Sequence, residues 1–138
     1  MADFRDLVDG GQRLAKQVGH LHGHVVGIEP NGGPAAQAVA HALGTTVSYV
    51  RRVNEGDAFE INATISGPAV VCDCGVETGR AAVTLGRQLR DMGVNPLVLA
   101  VPVCPREIEP LLREVYDEIV AVVRPLARRS LSWHYDSM

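Results

Sequence analysis

The chain has 138 residues, of which 46% are apolar and 21% charged, enough apolar side chain for one buried core and too much for a disordered chain. Its formal net charge of −3 argues against nucleic acid or an anionic membrane surface as the main partner. No apolar run approaches the roughly 20 residues that a membrane helix needs, and the acidic start Met1–Asp6 is not expected to act as a signal peptide. The cysteines Cys72, Cys74 and Cys104 are odd in number and lie in or beside apolar runs. They are expected to be reduced thiols, buried as small hydrophobes, in a cytoplasmic protein.

In chain order, Phe4, Leu7, Gly11, Leu14, Ala15 and Val18 recur at helical spacing, with Asp3 as the expected N-cap and Gly19 as the stop. His24–Ile28 is a β-branched run closed by Pro30, Asn31, Gly32, Gly33 and Pro34. Pro34 opens a helix that ends at Gly44. Thr45–Val50 reads as a second strand, and Arg51–Ser66 as a polar hairpin or ordered loop. Ala69–Cys72 is a third strand, followed by a helix from Gly79 or Arg80 to Gly93. Leu97–Val103 is a fourth strand, Glu107–Tyr116 a helix and Ile119–Val123 a fifth strand. Trp133 and Tyr135 mark the tail, read as docked on the domain or as a stacking platform for a base.

Alternation of strands and helices predicts an α/β fold: a single domain over 1–138 with a parallel sheet covered on both faces. In such sheets ligands sit outside the carboxyl ends of the strands. Two glycine-rich loops lie there, Glu29–Gly33 and Asp73–Gly79. His20, His22 and His24 alternate as in a strand, but a solvated turn is the simpler reading than a metal site. Cys72 and Cys74 lack the second ligand pair that zinc requires. Arg128 and Arg129 read as a surface pair, with contact to a phosphorylated ligand as the sharper alternative.

The segment Val70–Ala81 carries the chemistry. An apolar strand delivers Asp73 at its end, Gly75 and Gly79 let the backbone turn tightly, Thr78 offers a hydroxyl, and the next helix points its positive end at the same place. That makes an anion site, most naturally for phosphate. An ordinary strand–helix turn with a threonine N-cap explains the spacing equally well.

These residues resemble the phosphoribosyl-pyrophosphate motif of type I phosphoribosyltransferases: an apolar strand, two acids, Gly, an aliphatic residue, any residue, Thr-Gly, any residue, Thr. The resemblance runs along nearly the whole chain. Phe4–Ala15 is similar to the opening helix of short bacterial members, Gly27–Gly44 to their pyrophosphate loop and next helix, Val98–Val103 to a strand, and Trp133–Asp136 to an aromatic closing segment. It implies a type I phosphoribosyltransferase-like fold with a reduced hood, Arg51–Ser66 being too short for a full one. It further implies that Gly75, Val76, Glu77, Thr78, Gly79, Arg80 and Ala81 cradle the 5′-phosphate of phosphoribosyl pyrophosphate. Asp73 would approach the ribose hydroxyls, directly or through water on Mg²⁺. Glu29, Pro30, Asn31 and Gly32 would approach the pyrophosphate with backbone amides. Glu77 is either a catalytic acid or a loop residue facing solvent. A homodimer is implied as well.

The chain departs from the motif where charge matters. The second acid is Cys74, which supplies neither a carboxylate nor a hard ligand for Mg²⁺. Ala81 replaces a threonine, with Arg80 beside it as partial compensation, and Glu29 and Pro30 stand where a basic residue is expected. Two functions therefore stay open: a Mg²⁺-dependent transferase with weak transfer to a nitrogen base, and a non-catalytic phosphate-binding, nucleotide-binding or regulatory module. An unrelated doubly wound nucleotide-binding domain is a third. Cys74→Asp is expected to strengthen Mg²⁺-dependent binding, and Gly79→Val to fill the space that the phosphate needs.

Overall fold

The computed structural model describes residues 2–53 and 58–138. Strands β1 (His24–Ile28), β2 (Val47–Arg52), β3 (Phe59–Glu60), β4 (Gly67–Cys72), β5 (Val94–Val103) and β6 (Glu118–Val123) form one sheet in the order β3-β2-β1-β4-β5-β6. Every neighbouring pair is parallel except β2–β3, which is antiparallel. The helices are α1 (Leu7–Ala15), α2 (Gly33–Leu43), α3 (Arg80–Asp91) and the four-residue α4 (Glu109–Leu112), and a 3-10 turn spans Leu131–His134. Among the described residues no helix is long and apolar enough to cross a membrane.

The period of two along each strand divides the core. Val25, Val70, Cys72, Val98 and Ala100 face Leu14 of α1 and Ala36 and Val39 of α2. Val26, Ala69, Val71, Leu97 and Leu99 face Leu85 and Leu89 of α3 and Leu112 of α4. Near-continuous apolar strands are what a sheet covered on both faces requires. Each fully buried Leu or Val contributes about 1.5–3 kcal/mol on transfer from water. β1 and β4 are adjacent, yet α2 and α3, which follow them, pack on opposite faces. The chain connections therefore diverge at the carboxyl ends of β1 and β4 and leave a crevice there.

Several expected boundaries move. Helix α1 is capped by Asp6, whose Oδ1 accepts the Asp9 N–H at 2.8 Å, and not by Asp3. The preceding residues are extended because Phe4 bridges Tyr135, and Asp3 Oδ2 lies 2.7 Å from His134 Nδ1. The helix ends at Lys16, short of Gly19. The helix expected over Glu107–Tyr116 shrinks to α4, since Val115 O is taken by Arg90 Nε and Nη2 at 3.0 and 2.7 Å and Tyr116 turns inward to donate to Ala82 O at 2.6 Å. The second strand runs to Arg52 and pairs with β3, so the hairpin reading of Arg51–Ser66 holds for its described part; residues 54–57 lie outside the described residues. Gln88 of α3 pins this edge: its Oε1 accepts Phe59 N–H at 2.7 Å and its Nε2 donates to Phe59 O at 3.0 Å.

Candidate functional site

The crevice is built from two loops that touch backbone to backbone. After β1, the Gly32 N–H donates to Ile28 O at 2.7 Å and closes a tight turn. A Cβ on Gly32 would lie 2.3 Å from Ile28 O and 3.0 Å from both Asp73 Cα and Cys72 O, so only glycine permits this approach. Asp73, at the end of β4, is thereby held between the loop 29–32 and the loop 75–79. Its Oδ1 accepts the Cys74 N–H at 2.7 Å. Burial raises its carboxyl to about 6, against the opposing pull of that hydrogen bond and of the Arg52 charge.

Beyond Asp73, the chain turns into α3 through Gly75 and Gly79, at φ +153° and +84°. Gly79 is the N-cap of α3 and brings no capping side chain. Thr78 Oγ1 accepts the Arg80 N–H at 3.3 Å, and the N–H groups of Ala81 and Ala82 have no acceptor inside the helix. Thr78 thus reaches a helix N–H as the turn reading requires, while the rest of the helix end stays available to an anion. Arg52, Asp73, Gly75, Thr78, Arg80 and Leu131 are among the walls of a concavity here. A second concavity, of about 420 Å³, is bounded by Glu29, Pro30, Asn31, Arg51, Phe59 and Cys74. Both are lined by Arg52, Asp73, Ala81 and Leu131, so they form one continuous cleft.

The residues expected from the sequence to meet phosphate, ribose and pyrophosphate line this cleft or its turns, but they do not all offer groups to it. Val76 is buried and its N–H is committed to Val103 O at 2.9 Å. Glu77 is exposed and its Oε1 accepts the Leu131 N–H at 3.1 Å. In the first loop the Glu29 N–H goes to Val50 O and the Gly32 N–H to Ile28 O, while Pro30 has none. Asn31 alone keeps an N–H without a protein acceptor among the described residues. Cys74 is 4% exposed and its side chain packs with Phe4, Val103 and Tyr135 in a third cluster. Burial pushes its thiol well above the ordinary range and keeps it neutral. A carboxylate at this position would be buried among apolar side chains, so the expected gain from Cys74→Asp is withdrawn. The bulk added by Gly79→Val does not enter the cleft as expected: a Cβ there meets Ile108 Cγ2 at 2.9 Å, on the core side.

Two contributors went unnoticed in the sequence. Arg51 and Arg52 end β2, next to β1, and line the cleft beside the first loop. They supply the positive charge that Glu29 and Pro30 lack. Arg52 is placed by the β2–β3 pairing and lies over the Phe59 ring, 5.8 Å from its centroid. Consecutive arginines at the carboxyl end of a strand were the available signal. The second contributor is the tail. Tyr135 Oη donates to Cys74 O at 2.6 Å, and Leu131 Cδ2 fills the place of a Gly75 side chain. With the Glu77–Leu131 bond, the tail holds the loop 73–79 at three points.

Asp73 is the carboxylate shared by both concavities, with Glu29 bounding one and Glu77 the other, while the Cys74 thiol beside it packs into the apolar cluster and offers no carboxylate. Among the described residues no three His, Cys, Asp or Glu side chains are grouped to hold a metal. The histidine alternation lies at the opposite end of the sheet: His20 Nε2 meets Glu118 Oε2 at 2.6 Å and His24 Nε2 meets Ser48 Oγ at 2.7 Å.

No family model and no curated protein matches the chain. Solved structures do. TT1426 from Thermus thermophilus superposes with a TM-score of 0.78 at 22% identity, over 99% of this chain and 91% of that one. The APRTase from Giardia lamblia, solved with 9-deazaadenine, gives 0.70 at 17% over 86% and 78%. The purine phosphoribosyltransferase from Pyrococcus horikoshii gives 0.61 at 19% over 86% and 84%. With its sheet order, its crevice between β1 and β4 and these neighbours, the chain has the fold of the type I phosphoribosyltransferases.

Proposed function

We propose that the chain binds phosphoribosyl pyrophosphate and transfers its phosphoribosyl group, at low turnover, to a nitrogen nucleophile. The observation that carries this is the continuous cleft in which Asp73 stands between a helix start with a glycine N-cap and a loop flanked by two arginines. The 5′-phosphate would take the N–H groups at the start of α3 and the Thr78 hydroxyl. Asp73 would hold the ribose hydroxyls, and Asn31 N–H, Arg51 and Arg52 the pyrophosphate. In the reaction the ribose C1–oxygen bond breaks, pyrophosphate leaves with the electron pair, and a C1–nitrogen bond forms as the nitrogen loses its proton to solvent. Positive charge from Arg51 and Arg52 stabilises the leaving group, and the Asp73 carboxylate stabilises positive charge developing on the ring. Mg²⁺, when bound, would neutralise pyrophosphate charge. With one carboxylate in place of two, turnover is low. The same reading makes the working protein a cytoplasmic homodimer, and a monomer in light scattering would count against that part.

The test is a titration followed by amide chemical shifts. Ribose 5-phosphate should move residues 77–82, and phosphoribosyl pyrophosphate with Mg²⁺ should also move Asn31, Arg52 and Asp73. No movement of residues 77–82 at millimolar ribose 5-phosphate overturns the assignment.

A further inference from the structure

Gln88 lies on α3 and lines neither concavity of the cleft, yet it holds one of the cleft's walls in place. In the β2–β3 pair, Arg52 stands opposite Phe59. The N–H and C=O of Phe59 both point away from β2: Gln88 Oε1 accepts the first at 2.7 Å, and Gln88 Nε2 donates to the second at 3.0 Å. Arg52 and Phe59 are therefore a pair without hydrogen bonds between them, the kind whose side chains approach most closely. Phe59 is buried in the core, and the Arg52 guanidinium lies over its ring. β3 is a two-residue strand at the edge of the sheet, so Gln88 does for Phe59 what a further strand would do. Without the amide of Gln88, two buried backbone groups would lose their partners, and the ring that carries Arg52 would lose its fixed place.

We propose that Gln88 is a positioning residue for pyrophosphate: through Phe59 it sets where the Arg52 guanidinium stands in the cleft. The inference rests on the reading of Arg52 as a pyrophosphate contact and names the residue outside the cleft on which that contact depends. The helix that carries Gln88 begins at the phosphate loop, and Gln88 follows Arg80 at its start by about 12 Å along the axis. One helix thus presents its first turn to the 5′-phosphate and its later turns to Phe59, and it fixes the span between the two anionic sites. A hydrocarbon side chain at position 88 leaves the first turn as it is and frees Arg52. A freed arginine has to be ordered when the ligand binds, and that ordering weakens affinity at its own end of the cleft only.

The experiment is calorimetric titration with inorganic pyrophosphate and, separately, with ribose 5-phosphate, on the full chain and on Gln88→Leu, Arg52→Met and the double variant. Gln88→Leu should weaken pyrophosphate binding about fivefold to tenfold and leave ribose 5-phosphate binding as it was. Arg52→Met should weaken pyrophosphate binding at least as much. Adding Gln88→Leu to Arg52→Met should then change nothing further, because a residue that acts through Arg52 has nothing left to act on. Gln88→Glu keeps the acceptor for the Phe59 N–H and loses the donor to its C=O. It should fall between the parent protein and Gln88→Leu, and it replaces Gln88→Leu in the comparison if that variant does not fold. A merely structural role would weaken both ligands alike. That result, an additive effect in the double variant, or parental pyrophosphate affinity in the Gln88 variants beside a loss in Arg52→Met would each overturn the inference and leave Arg52 its role. Parental pyrophosphate affinity in Arg52→Met would remove the pyrophosphate reading of Arg52 and the inference with it.

Discussion

Asp73→Asn should make the protein more stable at neutral pH while weakening its hold on ribose. A carboxyl whose titration point rises from 3.8 to about 6 costs about 3 kcal/mol to keep ionised above that point. The native state binds the proton more tightly than the unfolded chain does. The cost is therefore absent below pH 3.8, grows between 3.8 and about 6, and is complete above it. Asparagine keeps the shape and the oxygen that accepts the Cys74 N–H at 2.7 Å, and it carries no charge. Allowing for water reaching a half-buried group, the variant should gain about 1–3 kcal/mol at about pH 8 and almost nothing near about pH 4. For a chain of this length that is several degrees in Tm. The assay is thermal unfolding of both proteins across about pH 4 to 8, paired with calorimetric titration of phosphoribosyl pyrophosphate and Mg²⁺. Affinity of the parent protein should rise as pH passes through about 6, and the variant should lose that step while still binding inorganic phosphate. A stability difference that is the same at both ends of the pH range would refute the reasoning, because the gain must come from the ionised form alone.

Tyr135→Phe removes the donor to the Cys74 carbonyl and should cost about 1–3 kcal/mol in urea unfolding, with weaker ribose 5-phosphate binding as the loop 73–79 loosens. Gly79→Ala places a side chain at φ +84° and 2.9 Å from Ile108 Cγ2. It should destabilise by about 1–3 kcal/mol, and a neutral outcome in the same assay would mean that the helix entry can relax. Gln88→Leu strips Phe59 of two backbone hydrogen bonds and should release β3. Chemical-shift titrations should then show pyrophosphate binding through Arg52 weakened and ribose 5-phosphate binding retained. Cys74→Asp should lower stability by several kcal/mol without improving Mg²⁺-dependent binding, as denaturation and calorimetry together would show.

What was legible in the sequence is what neighbouring residues decide among themselves. The apolar runs at Val25–Ile28, Val70–Cys72 and Leu97–Val103 announced a sheet buried on both faces. Gly75, Thr78 and Gly79 announced a loop feeding a helix start, since backbone conformation there depends on the residues present. Their resemblance to a known motif pointed to the fold that the neighbouring structures display. The tertiary structure decided everything that depends on who lies beside whom. Arg51 and Arg52 joined the site only because β2 pairs with β1, which sets their strand end next to the loop 29–32. Leu131 and Tyr135 reached the loop 73–79 across more than fifty residues of chain, guided by the bridge between Phe4 and Tyr135. At the end of β4 successive side chains diverge: Cys72 packs toward α1 and α2, Asp73 faces the cleft, and Cys74 packs into the tail cluster at the edge of that cleft. Reading the motif along the chain put the thiol in the place of a ligand-facing acid. Side-chain direction past the last paired residue of a strand is set by what the next loop packs against, and only the folded tail supplies that surface.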